Sequence, residues 1–404
     1  MSKKQLFFLI ISVAFIACTG SKHRDPLQVV ENPIPVIDLE KAVQSPTEPM
    51  KMSDFIESIE YIRPEYPASL VGTIFGVSIN DKYLLLEVSD RLLCYTRQGK
   101  FLREIGKKGQ GPTEHLGIRS STLLDTVVAI NSNFNRKILR YDVQGNYLSS
   151  LPVSDEVFKI NMSDTNRFVI NLHHGIAMDD PNLFVTGILN DKGDTVQLKK
   201  LQPYYPKGMA HSPTIWWYGD TVCVHTCVTD TVYSVSKNTI TPRYILHQGK
   251  YKINREAFKD IRLLEAERSN FIDGLSCCET DGYLLASFSL DKKRWLVYYD
   301  KHSHETKSWT QYPDEVSKYG TLVGGGWEND VDGGYKLSQL NAINPDYIAV
   351  SILPAKLKEV YTENKKKGIK VKCPKRQQEL EKLVNLLNED ENPVIILYKL
   401  KAKI

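Results

Sequence analysis

One segment of the chain occurs twice, and this repeat limits the possible folds more than any other feature of the sequence. Residues 91–105 read RLLCYTRQGKFLREI, and residues 137–151 read KILRYDVQGNYLSSL. The two segments align at an offset of 46 residues, which places Gly145 on Gly99. Each is rich in aliphatic and aromatic residues and is interrupted by a Gln-Gly turn, as is typical of antiparallel strands. A period of this length built only of strands predicts four-stranded blades arranged around an axis.

The number of blades follows from the third strand of each blade, which is apolar and ends in a turn. Six segments fit this description: residues 92–96, 137–142, 183–189, 231–236, 295–300 and 394–400. We therefore predict an all-β fold, a six-bladed β-propeller over residues 34–404. Apolar residues with helical spacing predict small helical insertions near residues 254–268 and 375–389. An N-terminal strand, residues 34–39 or 59–62, should pair with the last blade and close the ring, because closure removes an exposed sheet edge.

The loop after the first copy of the repeat carries a more specific signal. Residues 105–114 read IGKKGQGPTE and resemble the GxGQGPxE loop of six-bladed propeller lipoproteins common in Bacteroidota. Residues 102–151 look like an NHL-type repeat of a TolB-like propeller, and residues 388–399 resemble the end of the same family. The resemblance implies a lipoprotein with a propeller fold. It does not identify a ligand, because function is added to propellers by their loops.

The N-terminus predicts export and lipidation. Lys3 and Lys4 precede a short apolar run, and Ala17 stands before Cys18, as a lipoprotein signal peptidase requires. The apolar run is too short to cross a bilayer. We expect residues 1–17 to be the signal peptide and Cys18 to carry the lipid that anchors the protein to the membrane. An ordinary secretory leader with an incidental cysteine is the alternative.

The residues after Cys18 bear on location. Residues 18–33 should form a flexible tether to the propeller. They begin CTGSKHRD and lack the acidic run that directs many lipoproteins of these bacteria to the cell surface. We therefore expect an outer-membrane lipoprotein that faces the periplasm rather than the cell exterior.

Charge and cysteine spacing exclude some classes of partner. The formal net charge is +4, and the two lysines of the predicted leader contribute half of it. We therefore expect no strong positive electrostatic field that would attract nucleic acid. We expect a monomer.

The candidate metal ligands are Cys223, His225 and Cys227, whose side chains share one face of a predicted strand. Residues four apart on a strand are separated by about 13 Å, whereas sulfurs on one zinc ion lie within about 4 Å of each other. We therefore predict no metal site there and no cofactor.

Aromatic side chains give the best sequence argument for binding. Trp216, Trp217 and Tyr218 are consecutive, and Trp327 lies in the sequence GGGWEND. Exposed rings of this kind stack on sugars or peptides, although blade cores also require aromatic residues. Because side chains alternate along a strand, at least one tryptophan of the consecutive pair should face away from the core.

The glycine-rich loop is the second candidate site. Lys108, Gln110 and Glu114 lie in it, and its backbone amides could hold an anion. The alternative interpretation is a crossover between blades whose glycines adopt positive φ and whose Glu114 binds backbone amides. Cys277 and Cys278 are adjacent, and we expect unpaired or separately paired thiols rather than a vicinal disulfide.

No catalytic motif is evident, since the chain contains no GxSxG elbow and no HExxH helix. We expect a non-catalytic binding or scaffold module for an envelope protein or a glycan. The alternative is a propeller hydrolase or lactonase with a metal ion, such as calcium, in the central channel. An enzyme channel should gather several carboxylates and amides around one point.

Overall fold

A computed structural model describes residues 33–66, 69–154, 157–172, 184–200, 213–227, 229–254, 261–316 and 322–402. Cys18, the predicted signal peptide and all of the predicted tether except Pro33 lie outside these residues. The elements below belong to the unit Ile34–Ile404. They form six small antiparallel sheets in a ring, which confirms the six-bladed β-propeller.

Two strands and two short helices precede the first blade: β1 Val36–Asp38, α1 Leu39–Gln44, α2 Met52–Phe55 and β2 Ile56–Ile62. Blade 1 contains β3 Ile74–Ile79, β4 Tyr83–Val88, β5 Arg91–Thr96 and β6 Phe101–Glu104. Blade 2 contains β7 Ser120–Leu124, β8 Val127–Ser132, β9 Lys137–Asp142 and β10 Tyr147–Pro152. Blade 3 contains β11 Val157–Asp164, β12 Arg167–Leu172, β13 Phe184–Asn190 and β14 Thr195–Lys200.

The second half of the chain follows the same plan with longer insertions. Blade 4 contains β15 Thr214–Tyr218, β16 Thr221–His225, β17 Thr231–Ser236 and β18 Thr239–His247, and helix α3 Ile261–Glu267 follows it. Blade 5 contains β19 Asp273–Glu279, β20 Tyr283–Leu290, β21 Lys293–Asp300 and β22 Thr306–Gln311. The remaining elements are β23 Glu315–Val316, β24 Leu322–Val323, β25 Tyr347–Ile352, α4 Pro354–Lys366, α5 Pro374–Leu386 and β26 Val394–Leu400. Short 3₁₀ turns lie at Asn133–Asn135, Gly249–Tyr251 and Arg268–Asn270.

Blade 6 joins the two halves of the chain. The N-terminal strand β2 pairs antiparallel with the C-terminal strand β26, so that Ile59 lies opposite Tyr398, and β25 pairs with the other edge of β26. This confirms closure by residues 59–62. The alternative, residues 34–39, is wrong, because β1 instead pairs parallel with β18 and becomes a fifth strand at the outer edge of blade 4.

A short hairpin completes blade 6 on its inner side. Ala342 forms a bridge with Ile348, and the amide of Ile343 donates to the carbonyl of Tyr347 at 3.0 Å. The turn between them is closed by Asn344, whose Oδ1 accepts from the amide of Tyr347 at 2.9 Å. Asn80 closes the turn between β3 and β4 in the same way, with the amide of Tyr83. Residues 340–343 therefore occupy the position that a first strand has in the other blades.

The core lies between neighbouring blades rather than within one layer. In β4 the consecutive residues Leu84, Leu85 and Leu86 are all buried, because one face of the blade packs on blade 6 and the other on blade 2. Strands covered on both faces read as continuous apolar runs. Each such leucine contributes about 1.5–3 kcal/mol when buried.

The helical insertions differ from the sequence-based expectation in one respect. Helix α3 lies within the first segment in which an insertion was expected, and α5 begins one residue before the second, but α4 was not foreseen. Leu357 of α4 and Leu380 of α5 pack into the apolar cluster shared by blades 5 and 6. Among the described residues, no helix has both the length and the apolar character needed to cross a membrane.

Candidate functional site: the central channel

The first strands of the blades surround a central cavity of about 1520 Å³. It is lined by residues of β3, β7, β11, β15 and β19 and by the inner hairpin of blade 6. Pockets that bind small molecules commonly have volumes of about 300–1,000 Å³. The channel therefore has room for a ligand of several sugar or amino-acid units.

A carboxyl group reaches this channel through a gap in the inner strand of blade 1. Glu87 lies on β4, the second strand, directly opposite Gly76 on β3. A Cβ atom at Gly76 would lie 3.1 Å from Glu87 Oε2, so the missing side chain makes room for the carboxyl group. Ser121 of β7 donates its hydroxyl to the same oxygen at 3.1 Å. Glu87 is thus held in the wall of the channel between blades 1 and 2.

Lys159 on β11 faces the same region and is coupled electrostatically to Glu87. Burial raises the pKa of Glu87, and the hydroxyl of Ser121 and the charge of Lys159 only partly oppose this. Burial lowers the pKa of Lys159, and Glu87 partly opposes that shift. Both groups are therefore displaced toward their neutral forms. Perturbed pKa values of this kind occur at functional sites and also in buried structural ion pairs.

Several aromatic rings line the cavity beside these groups. Phe75 of β3 is 68% exposed, and Phe134, beyond β8, is 73% exposed. Phe158 of β11 lies beneath the guanidinium group of Arg119, 5.6 Å from the ring centre. Trp217 also lines the cavity and is half-buried. Exposed rings in a recessed cavity provide flat apolar surfaces on which a ligand can stack.

Polar atoms that line the cavity have no hydrogen-bond partner within the described structure. They are Asn161 Nδ2, Ser163 Oγ and His225 Nδ1. His225 Nε2 donates to the carbonyl of Thr229 at 2.8 Å, and its Nδ1 is buried without a partner. Buried polar groups are nearly always paired. All three atoms are themselves buried, so they lie behind the surface of the cavity wall.

The four aromatic residues predicted from the sequence have different positions. Trp216 and Trp327 are both 0% exposed, so the expectation that they contact a ligand is wrong. Trp327 packs against Trp309 in the core between blades 5 and 6, with ring centres 5.7 Å apart. Trp217 is the tryptophan of the consecutive pair that reaches the channel, as strand alternation requires.

Tyr218 and Trp216 belong to a charged cluster between blades 4 and 5. The Tyr218 ring lies 4.1 Å from both the guanidinium carbon of Arg243 and the ammonium nitrogen of Lys301. Both cations bind the buried carboxylate of Glu279. This cluster satisfies its own charges, and we assign it to stability rather than to ligand binding.

The glycine-rich loop is filled by its own glutamate. Glu114 Oε2 accepts from the amide of Gly111 at 2.9 Å, and a Cβ atom at Gly109 would lie only 2.0 Å from the same oxygen. The carboxylate thus occupies the place that a bound anion would take. Gln110 is exposed outside the cavity, whereas Lys108 reaches the cavity and pairs with Asp90. The loop is therefore best described as a crossover between blades.

The cysteine sites show no metal geometry. Cys223 is buried against Glu279, whereas Cys227 lies past the end of β16 at the cavity wall. Cys277 and Cys278 are buried free thiols. Within the described ranges, no three His, Cys, Asp or Glu side chains converge to hold a metal ion.

Sequence reasoning missed Glu87, Lys159 and Arg119. One signal was available, because Glu87 interrupts the apolar run YLLLEV of β4. A buried strand tolerates a carboxyl group only where it finds a polar environment. That environment can be recognised only from the strand register, which places Gly76 opposite Glu87. The sequence does not give this register.

Comparisons with known proteins support the fold. A putative exported protein from Bacteroides fragilis NCTC 9343 is 17% identical, with a TM-score of 0.63, and the match covers 88% of this chain and 98% of that chain. A DUF4221-family member from Bacteroides vulgatus ATCC 8482 is 10% identical, with a TM-score of 0.46, over 86% and 97% of the two chains. At such identities the first likeness shows a shared fold alone.

Sequence comparison adds a family match. A family model described as "Domain of unknown function (DUF4934)" matches residues 34–399. No curated protein matches the chain.

Proposed function

The chain belongs to the DUF4934 family, and we propose that it is an exported, lipid-anchored protein of the outer membrane that binds a glycan in its central channel without cleaving it. The family description names no activity, so the proposal rests on the site. One observation carries it: Phe75 and Phe134, 68% and 73% exposed, present their rings at one large cavity. Sugars offer apolar faces for stacking and hydroxyl groups for neutral polar partners.

The recessed position of these groups favours a glycan over a protein partner. Protein interfaces usually bury about 800 Å² per partner on an accessible surface. The exposed rings instead line a cavity of about 1520 Å³, a size that suits a short oligosaccharide better than the broad surface of a folded domain. Ser78 and Ser351 also line the cavity, and serine hydroxyl groups suit sugar hydroxyls.

Calorimetric titration of the purified protein with a panel of oligosaccharides tests the binding proposal. Trp217→Ala and Phe75→Ala should each weaken binding at least about fivefold, because each removes a stacking surface. Tyr312→Ala is the control, since Tyr312 is 75% exposed, close to the 68% of Phe75, but lies outside the cavity. Equal affinity in all three variants would contradict a channel site.

Analysis of the same mixtures for shortened products separates binding from hydrolysis. The proposal predicts intact oligosaccharides after long incubation. Cleavage that is lost in Glu87→Gln would favour the hydrolase alternative, in which this carboxyl group would act as an acid.

Fractionation of cells tests the anchor. Cys18→Ala should move the protein out of the membrane fraction, because lipid attachment at this residue is the proposed tether. Unchanged membrane retention would overturn it. Protease treatment of intact cells then tests orientation, and we expect protection.

A further inference from the structure

A basic loop joins the two helices that are inserted into blade 6. Helix α4, helix α5 and this loop span residues 354–386 and contain ten lysine and arginine residues and four glutamates. Their net charge is therefore +6, whereas that of the whole chain is +4, so the rest of the chain carries −2. The positive charge of the protein is thus concentrated in residues 354–386, which we call the basic hairpin.

The cations are densest around the loop. Residues 365–376, KKKGIKVKCPKR, contain seven cations and no carboxylate, and all seven cationic side chains are exposed. Three of them form ion pairs: Lys365 with Glu381, Lys372 with Asp54 and Arg376 with Glu379. Among the described residues, the other four have no ion pair, and they are Lys366, Lys367, Lys370 and Lys375.

The carboxylates of the basic hairpin do not neutralise these four lysines. Glu379 and Glu381 belong to the pairs named above, and Glu359 pairs with Lys356 at 2.7 Å. Glu363 is the remaining glutamate of the two helices, and it is exposed on α4. Four unpaired cations thus stand against one carboxylate, and the surface of the loop is strongly positive.

The propeller holds the basic loop in place. The amide of Lys372 donates to the carbonyl of Asp330 at 2.8 Å, and Asn364 Nδ2 donates to the carbonyl of Gly334 at 2.8 Å. Gly368 follows α4 with a φ of +66°, and its amide donates to the carbonyl of Lys365 at 3.1 Å. The lysines therefore project from an ordered backbone, and less conformational entropy is lost when they bind a partner.

The charge of this surface suits a membrane. Polybasic segments bind anionic lipid headgroups, and each added basic residue strengthens the attraction. Salt screens this attraction beyond about 8–10 Å at physiological ionic strength, so the lysines must lie close to the lipid. The proposed lipid anchor keeps the protein beside a membrane and thereby raises the effective concentration of headgroups around the basic hairpin.

We propose that the basic hairpin binds anionic phospholipid headgroups of the membrane that holds the lipid anchor, and that the contact residues are Lys366, Lys367, Lys370 and Lys375. This inference rests on the proposed lipid anchor and is independent of the proposed glycan site. The negatively charged remainder of the chain is repelled by the same headgroups. The basic hairpin therefore determines which side of the propeller faces the membrane.

The experiment measures how accessible each lysine is on vesicles. The full chain with its lipid anchor is reconstituted in vesicles of phosphatidylcholine alone or of phosphatidylcholine mixed with phosphatidylglycerol. An uncharged amine-reactive reagent labels exposed lysines, and mass spectrometry gives the rate at each residue. The four contact lysines should be labelled at least about fivefold more slowly on the anionic vesicles, because headgroups cover them. High salt should remove this protection.

Four lysines elsewhere on the propeller provide an internal control. They are exposed, belong to blades 1 and 3 and have no ion pair among the described residues: Lys82, Lys100, Lys192 and Lys200. Their labelling rates should be the same on both kinds of vesicle.

Variants of equal charge assign the protection to the basic hairpin, with Lys372 as the reporter. Replacing all four contact lysines by Gln should abolish the protection of Lys372, which lies between them in the loop. Replacing the four control lysines by Gln removes the same charge and should leave Lys372 protected. Thermal transitions near that of the parent establish that both variants are folded.

The possible results separate this inference from the anchor on which it rests. Equal labelling of the contact lysines on both kinds of vesicle would overturn the inference and leave the anchor intact. Protection of Lys372 that persists without the contact lysines would also overturn it. Protection by dissolved dextran sulfate but not by anionic vesicles would overturn it in favour of an anionic polymer. A protein that does not stay on either kind of vesicle would overturn the anchor and this inference with it.

Discussion

Trp216 donates its indole N–H to the buried carboxylate of Glu279 over 2.9 Å, across the boundary between blades 4 and 5. Tyr244 donates to the same carboxylate at 2.8 Å, and Lys301 binds it at 2.7 Å. Burial alone would raise the pKa of Glu279, but the hydrogen bonds and charges of Arg243 and Lys301 outweigh burial and hold the pKa below its usual value. One carboxylate thus connects two blades through four side chains.

Glu279→Gln should lower the free energy of unfolding by about 3–5 kcal/mol, because it leaves two cations in a buried site without their counter-ion. Chemical denaturation measures the change. Glu305→Gln is the matched control, since Glu305 pairs with Lys307 on the surface, at 3.5 Å, and such pairs contribute about 0–1 kcal/mol. Similar small losses in both variants would show that the buried cluster does not stabilise the junction.

The repeated glycines Gly99 and Gly145 should respond differently to alanine. Both have positive φ, +92° and +85°, so either substitution costs about 1–2 kcal/mol in backbone strain. A Cβ atom at Gly99 would also lie 2.4 Å from the carbonyl oxygen of Arg63, whereas at Gly145 the nearest atom is 3.8 Å away. We expect Gly99→Ala to be the more destabilising by at least about 1 kcal/mol in thermal unfolding. Equal losses would contradict the close approach at Gly99.

Acid should destabilise the protein through His225. Burial lowers the pKa of His225 to about 4, and an unfolded histidine has a pKa of about 6.5. Between these values the unfolded chain binds a proton that the folded protein does not, so stability falls as the pH drops from about 6.5 to about 4, by about 3 kcal/mol in total. Thermal unfolding across this range measures the slope.

His225→Gln should flatten that slope, because it removes the group that takes up the proton. His302→Gln is the control, since His302 is exposed on a hairpin turn. A slope that is unchanged in His225→Gln would assign the acid sensitivity to other groups, among them His115, whose pKa burial also lowers.

Removal of residues 392–404 should abolish cooperative unfolding, because β26 pairs with both β2 and β25. Its loss opens the ring and exposes two sheet edges. The control is a chain that begins at Leu39 and therefore lacks residues 1–38, which include β1, the strand that covers the outer edge of blade 4. This chain should keep a single transition at a lower temperature. A sharp transition near that of the parent in the first truncation would contradict closure through β26.

Local pattern predicted much of the propeller. The third strands expected at residues 137–142, 231–236 and 394–400 coincide with β9, β17 and β26. Each is a short apolar run followed by a turn or the end of the chain, and both properties are local. Helix α4 was missed because its apolar positions are few and its end is rich in lysine.

Whether a given side chain is buried or exposed was harder to predict. Side-chain alternation along the strand indicated that Trp216 and Trp217 point to opposite faces. It did not decide which of them is exposed, because neighbouring blades cover both faces of a blade. The same limit applies to Trp327, whose burial depends on its packing against Trp309.

The amino-acid sequence by itself determined the strands, the turns and the number of blades, because these depend on side-chain alternation and turn residues within a few positions. Only the tertiary structure decided which groups share the channel. Glu87, Arg119 and Lys159 belong to three different blades, and they line one cavity because the ring closes through β2 and β26 and because Gly76 leaves space in the inner strand. Closure and register depend on contacts between residues far apart in the chain, and no local pattern contains them.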